Sequence, residues 1–381
     1  MNSLERKEAR YQRRKQKRED KLNTLVNSFG TPEEIFNFKD MYKYGLDCCK
    51  NVMWKGSVQT FRRHLFSRTA VNRKRVLNYY KPKALYRFTL TERGKTRHIE
   101  APHIDDRQIQ KTLTKKVLLP LYSSRLIYDN GASLENKGLI FSQNMLDRQL
   151  RKHIKKYGYN GFIIIADCKG FFPNANRDYI KKKHLIIPDN RLREIMDIII
   201  DCGHGDKGMP LGVEPSQVEM IAYTSELDHY MTCQLGLRGY GHYMDDYHIL
   251  VPPDRDPYEI YQLFKNEANK YGITISDTKT KILPFGKNFK FCKITRILKG
   301  DKIIKRGSRD SAKRTRRKFI MFANNQTSFS YEDIFTSAQS SLSYFLKYNN
   351  HSTFLRLARL FYSLFGENIY DYLKKNKEKK G

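Results

Sequence analysis

Tyr243-Met244-Asp245-Asp246 sets two adjacent carboxylates between apolar runs, with Leu237, Tyr240 and Tyr243 before them and Tyr247, Ile249, Leu250 and Val251 after. Such flanks predict two strands joined by a tight turn, with the acidic pair at the turn. Neighbouring carboxylates repel, so a cation is expected to hold them together. Mg²⁺ suits the place, because it takes few carboxylates plus substrate phosphates; Mn²⁺ has similar oxygen chemistry. Alone, Asp-Asp in a hairpin is ordinary turn chemistry. A third carboxylate changes the reading. Asp167 ends the apolar run Phe162-Ile163-Ile164-Ile165-Ala166, which has the pattern of a buried strand. On neighbouring strands, Asp167 and Asp245 could bind the same two ions, as two-metal phosphoryl transfer requires. Asp246 supports them, and Cys168, next to Asp167, joins the candidate metal ligands.

Asp-x-x-x-x-Phe, from Asp167 to Phe172, and Tyr-x-Asp-Asp, about eighty residues apart, resemble the corresponding stretches of reverse transcriptases. Other stretches line up with that family in order. Tyr86-Arg87-Phe88-Thr89-Leu90 and Thr96-Arg97-His98-Ile99, around Glu92-Arg93-Gly94-Lys95, predict a hairpin similar to the family's fingers hairpin. The resemblance implies that Lys95 and Arg97 meet the incoming triphosphate, whose oxygens such cations neutralise. Pro102 to Gln110 is similar to the family's P-x-x-x-D-R-x-x-Q stretch, with Arg107 assigned to nucleic acid. Gly208 to Gln217 resembles P-Q-G-x-x-x-S-P at the start of a long palm helix: Pro210, Gly212 and Ser216 match, while Leu211 replaces Gln and Gln217 replaces Pro. Apolar residues at Met220, Tyr223, Leu227 and Met231 continue that helix as a core-facing stripe. Phe172 takes the position of the family's sugar gate. Lys279, in a stretch that resembles the Lys-Thr element, could protonate the leaving pyrophosphate. Phe291-Cys292-Lys293 stands where many relatives have Phe-Leu-Gly, the primer grip.

Composition points the same way. The 381 residues carry 72 Lys and Arg against 40 Asp and Glu, a net charge of +32 that calls for a polyanionic partner. Nucleic acid is the first choice and an anionic membrane the second, but no apolar run reaches about 18 residues, so no membrane span is expected. The charged N-terminus has no apolar signal region. Six cysteines without a C-x-x-C pair argue against structural zinc and for a reducing cytoplasm. Leu4 to Lys21, including Arg13, Arg14 and Lys15, is expected to form a solvated helix that holds RNA. Lys302 to Phe322, including Arg314, Arg316 and Arg317, is expected to grip a duplex backbone.

The expected fold is α+β, a right-hand polymerase: a basic helical extension over 1–80, fingers and a palm of small antiparallel sheet plus helices over 81–300, and a helical basic thumb with a Lys-rich tail over 301–381. The resemblance implies an RNA-directed DNA polymerase that adds dNTPs to a primer 3′ end. Its partners would be an RNA template (a dedicated noncoding RNA is one form), the DNA product, and a partner protein or second copy. No Phe-Arg follows Gly131, unlike group II intron enzymes. The Leu-Gly-x-x-x-Ser-Gln form resembles bacterial enzymes of diversity-generating retroelements and of defence and abortive-infection groups; the N-terminal extension favours antiphage defence. Leu211 cannot hydrogen-bond a nucleotide as Gln can, so error-prone synthesis is expected unless Gln217 restores the contact. An RNA-directed RNA polymerase and a catalytically silent RNA-binding protein are the alternatives. Phe172 argues against the first and the three intact aspartates against the second.

Overall fold

The computed structural model describes residues 3–92, 95–132, 134–300, 302–348 and 350–369; the side chains of Ser3, Leu4, Lys7, Glu92 and Lys95 lie outside the description. Residues 93 and 94 of the expected turn between Glu92 and Lys95, and the tail after Tyr372, fall outside these residues. The chain opens with α1 (Ser3–Asn27), uninterrupted by Gly or Pro. Only its end is apolar enough to pack: Leu22 and Val26 join Ile35, Phe36, Val76, Ile109 and Leu113 in one core. Arg13, Arg14 and Lys15 on the preceding turns are exposed.

Helix α2 (Leu65–Asn78) precedes the hairpin of β1 (Tyr86–Glu92) and β2 (Lys95–Ala101), and α3 (Ile104–Leu113) follows it. Buried polar groups tie α2 to α3. Asp105 accepts from Arg68 at 3.0 Å and Lys83 at 2.5 Å. Asp106 accepts from Arg75 at 2.9 Å and from the Lys83 amide at 2.8 Å. Gln108 bonds Asn72, Thr69 and the Met41 carbonyl. Both aspartates are 1% exposed, so removing a partner would leave a buried charge uncompensated. Burial pushes the Asp105 carboxyl up, but Lys83 and Arg68 outweigh it and hold the group below its usual range.

The central unit has α4 (Leu139–Tyr157), β3 (Phe162–Asp167), α5 (Glu214–Tyr223), β4 (Gly239–Tyr243), β5 (Asp246–Val251), α6 (Pro257–Lys270) and β6 (Lys281–Pro284). The four strands form an antiparallel sheet in the order β4-β5-β3-β6. Alternation along β3 sends Ile164 and Ala166 into a core with Ile249, Phe264 and Ala268. Ile163 packs on the other face, with Leu146 and Leu150 of α4 and Leu250. The sheet is therefore covered on both sides, which is why β3 reads as a continuous apolar run. The helix expected through Met231 is broken: α5 ends at Tyr223, and Ser225–His229 and a widened turn at Tyr230–Gln234 follow. Thr224 and Ser225 at the break have side chains that compete with helical backbone bonds.

A second antiparallel sheet follows, β7 (Phe289–Phe291), β8 (Ile294–Lys299) and β9 (Lys302–Gly307). The β8–β9 hairpin crosses residue 300, so the helical layer begins only at Arg309. Helices α7 (Arg309–Ala323), α8 (Tyr331–Lys347) and α9 (His351–Phe365) enclose a core of Phe319, Ile334, Leu342, Phe345, Phe354 and Phe361. This mix of helices and small antiparallel sheets is that of a right-hand polymerase. Among the described residues no helix is long and apolar enough to cross a membrane.

One buried ion cluster gives the fold a pH dependence. His184, 1% exposed, meets Asp197 at 2.7 Å and Glu219 of α5 at 3.1 Å. Burial opposes its charge, yet Glu219 and Asp197 raise its pKa to about 9. A raised histidine stabilises the fold fully below its unfolded value near 6.5, and the contribution is lost as pH rises through about 9. Stability should fall by about 2–3 kcal/mol across that window. His184→Gln should lower stability at pH 6 and flatten this fall in urea titrations; a parallel fall in the variant would rule the cluster out as the cause.

Candidate active site

The register of the central sheet sets the site. Asp167, the last residue of β3, pairs with Asp246, the first of β5. The turn is Met244-Asp245, so the acidic pair is split, one member in the turn and one opening the strand. Met244 has φ +54°, a left-handed conformation uncommon for a side chain of this kind. The support lies beneath it. His242 Nδ1 donates to the Met244 carbonyl at 3.0 Å, and His242 Nε2 meets Asp228 at 3.0 Å. Asp228 also accepts from Tyr240 at 2.7 Å. Burial opposes charge on His242, but Asp228 prevails and raises its pKa, which favours N–H donors on both ring nitrogens.

The three carboxylates press on one another. Asp246 has its pKa raised to about 6, first by burial and then by Asp245 and Asp167. The ammonium of Lys279 ion-pairs with Asp167. It arrives there because the main chain beyond β3 keeps pairing: Ser276 N–H donates to the Asp167 carbonyl at 2.9 Å and Lys169 N–H to the Thr274 carbonyl at 2.8 Å. The Cys292 thiol, in the stretch that resembles the primer grip, approaches Asp246 Oδ2 at 3.8 Å. Cys292 and Lys293 have φ +48° and +69°, so Lys293 takes a left-handed conformation where the family pattern has Gly.

The Cys168 side chain is 3% exposed, and burial, then Asp245, pushes its thiol well above its usual pKa. Cys168 contributes through its backbone, donating its N–H to the Asp245 carbonyl at 3.1 Å.

Among the described residues no three acidic, His or Cys side chains are gathered closely enough to enclose a metal ion as they stand. The donor chemistry nevertheless fits a hard divalent cation. Asp167, Asp245 and Asp246 offer only oxygen, and the burial and mutual repulsion that raise Asp246 are what such a cation offsets.

A cavity of about 790 Å³ opens beside the turn, lined in part by Met244, Phe172, Leu211, Gly212, Gln217 and Arg107. Phe172 is half-buried, edge-on to Phe171 at 5.9 Å. Leu211 is half-buried and its carbonyl accepts from Glu100 N–H at 2.7 Å, which stitches β2 to the loop before α5. Gln217 is exposed and also lines a second hollow with Lys115, Tyr128 and Lys137. Arg97 is exposed on β2, and the Lys95 side chain lies outside the described ones. Arg314, Arg316 and Arg317 lie exposed on α7, and Lys15 lines a crevice between α1 and the Ser225–Gln234 segment. The structure thus gathers Asp167, Asp245, Asp246 and Lys279 in one cluster, and Phe172, Leu211, Gly212, Gln217 and Arg107 around the adjoining cavity. Arg13 and Arg14 are in neither. Sequence reasoning missed His242 and Asp228, and named Cys292 only as part of the primer-grip stretch.

Residues 81–319 match the reverse transcriptase (RNA-dependent DNA polymerase) family. The chain belongs to this family. No curated protein sequence matches the chain. Among solved structures it is similar to telomerase from Candida albicans in complex with a TWJ fragment of telomeric RNA, at 12% identity and a TM-score of 0.46. That likeness covers 77% of this chain and 58% of the telomerase chain, so the chain spans less than two thirds of it.

Gly212 gives a test of how the reverse transcriptase loop is fitted to β2. It has φ +118°, and a Cβ there would lie 2.8 Å from the Glu100 carbonyl oxygen. Gly205 also has positive φ, +72°, but a Cβ there meets nothing within 4 Å. Gly212→Ala should cost about 1–3 kcal/mol, more than Gly205→Ala, and speed amide exchange at Glu100. Equal costs in urea titrations would show that the close approach is not needed.

Proposed function

We propose that this chain is an RNA-directed DNA polymerase that extends a primer 3′ end with dNTPs on an RNA template. The carrying observation is the sheet register that aligns Asp167 with Asp246, beside Asp245 and the cavity holding Phe172 and Gly212. Asp167 and Asp245, with Asp246, would hold two divalent ions, Mg²⁺ or Mn²⁺. Such ions activate the attacking hydroxyl and stabilise the leaving oxygen. The chain's own groups do the rest. Arg97 and Lys95 would neutralise the triphosphate. Phe172 would meet the sugar, and Gly212 would let backbone approach the nucleotide. Lys279, already at Asp167, is the nearest acid for the departing pyrophosphate. Arg107, Arg314, Arg316 and Arg317 would hold template and duplex phosphates, with Arg13, Arg14 and Lys15 on a further stretch of RNA.

The biological reading is a bacterial antiphage-defence enzyme, supported by the helical extension that α2 and α3 lock to the fingers and by Leu211 and Gln217. The second reading is the error-prone enzyme of a diversity-generating retroelement, favoured by Leu211, whose side chain has no hydrogen-bonding group.

Purified protein with a primed RNA template should extend the primer, lose activity in EDTA and regain it with Mg²⁺ or Mn²⁺. Asp245→Asn should bring extension to background while RNA binding persists; full extension by this variant would return the acidic pair to turn chemistry. Phe172→Val should raise ribonucleotide relative to deoxyribonucleotide incorporation roughly ten- to a hundredfold. An unchanged ratio would make the ring a packing residue.

A further inference from the structure

We infer that the outer face of α4 is a second RNA site, one that holds the sugar-phosphate backbone away from the polymerisation cavity. Asn144, Arg148, Arg151, Lys152 and Lys155 recur at helical spacing along α4, and with Lys305 of β9 and Asp147 they line a concavity of about 400 Å³. None of these residues lines the cavity beside Met244. The four cations on α4 span roughly 10 Å, at 1.5 Å per residue.

Their charge is answered only in part within the chain, by Asp129, which Lys152 and Arg148 influence from a distance without an ion pair. The one carboxylate in the concavity, Asp147, is already taken twice: Arg296 Nε donates to it at 2.7 Å and Lys305 Nζ at 2.8 Å. Among the described residues no carboxylate pairs with Arg148, Arg151, Lys152 or Lys155. Like charges three and four residues apart destabilise a helix. Lys155 has a structural reason, since it stands in the last turn and complements the helix dipole. Arg148, Arg151 and Lys152 lie too far inside for that.

The chemistry selects the ligand. A membrane surface needs an apolar face to bury, and no exposed large apolar side chain lines this hollow. A stable protein interface has an apolar centre depleted of charge, and this lining has no apolar or aromatic side chain to form one. Phosphates need only cations. The absence of an aromatic platform makes the contact one with backbone alone, indifferent to sequence. In a reverse transcriptase the polyanion at hand is RNA too long for the cleft. The inference takes RNA from the proposed function, but its readout is binding, which needs no synthesis.

The test measures affinity against salt for a long single-stranded RNA and for a short primed template that fills only the cleft. In the full chain, Arg148→Gln, Arg151→Gln, Lys152→Gln and Lys155→Gln together should reduce the log–log salt slope for the long RNA by about 3, at 0.7 for each of four phosphate contacts. Affinity for the long RNA should fall at least about tenfold near 0.1 M salt, and that for the short template much less. Arg148→Lys with Arg151→Lys, which keeps the charge, should preserve the slope and so separates lost contact from lost folding. An unchanged slope in the quadruple variant overturns the inference. So does an equal loss on both RNAs, or a loss confined to binding of phosphatidylserine vesicles. A wild-type chain that binds RNA but extends no primer would defeat the proposed function and leave this measurement intact.

Discussion

The repulsion among Asp167, Asp245 and Asp246 is the constraint that the rest of the molecule works around. Placing Asp167 opposite Asp246 brings like charges together at the end of a sheet covered on both faces, and Asp246 is pushed up to about 6, first by its burial and then by Asp245 and Asp167. The fold tolerates this because cations and donors are brought in from elsewhere. Lys279 reaches Asp167 through main-chain pairing beyond β3, and His242, itself held by Asp228, steadies the Met244 carbonyl in the left-handed turn. Negative charge gathered in this way is what a divalent cation can relieve.

The same logic, applied to neutralised charge, explains how the basic extension is attached. Asp105 and Asp106 are buried and completely dependent on Arg68, Arg75 and Lys83. A buried pair of this kind adds little net stability against an apolar alternative, but breaking it is costly, so it fixes which helix meets which. It ties the N-terminal helices to α3, which carries Arg107 into the cavity. The β1–β2 hairpin is joined on the other side by the Glu100–Leu211 backbone bond. The cavity beside Met244 is therefore walled by elements from three stretches of chain, each fastened by a few polar contacts.

Cationic surplus is distributed unevenly over this frame. α1 is anchored only by its last apolar turns, and its first turns stay solvated. α7 carries its arginines on an exposed face while Phe319 enters the core of the helical layer. On α4, helical geometry collects cations that are scattered in the sequence, opposite the apolar stripe of Leu146 and Leu150. A polyanion that touches all three would follow a long path over the molecule.

Local pattern alone determined a good deal. The apolar run ending at Asp167, the flanks of Tyr243 to Asp246 and the 3.6-residue stripes of the later helices are set by nearest neighbours, and the order of motifs sufficed to indicate the polymerase fold. What the sequence could not fix depends on contacts between distant residues. The thiol of Cys292 beside Asp246 and the pairing of Lys279 with Asp167 arise only when stretches far apart in the chain meet, and His242 is held for its local bond to Met244 by Asp228 on a neighbouring helix. Cys168 shows the difference most directly: sequence makes it a neighbour of Asp167, and burial under the sheet raises the pKa of its thiol. Adjacency in the chain fixes where a backbone goes, but the solvation and charge around a side chain are set by everything that packs against it.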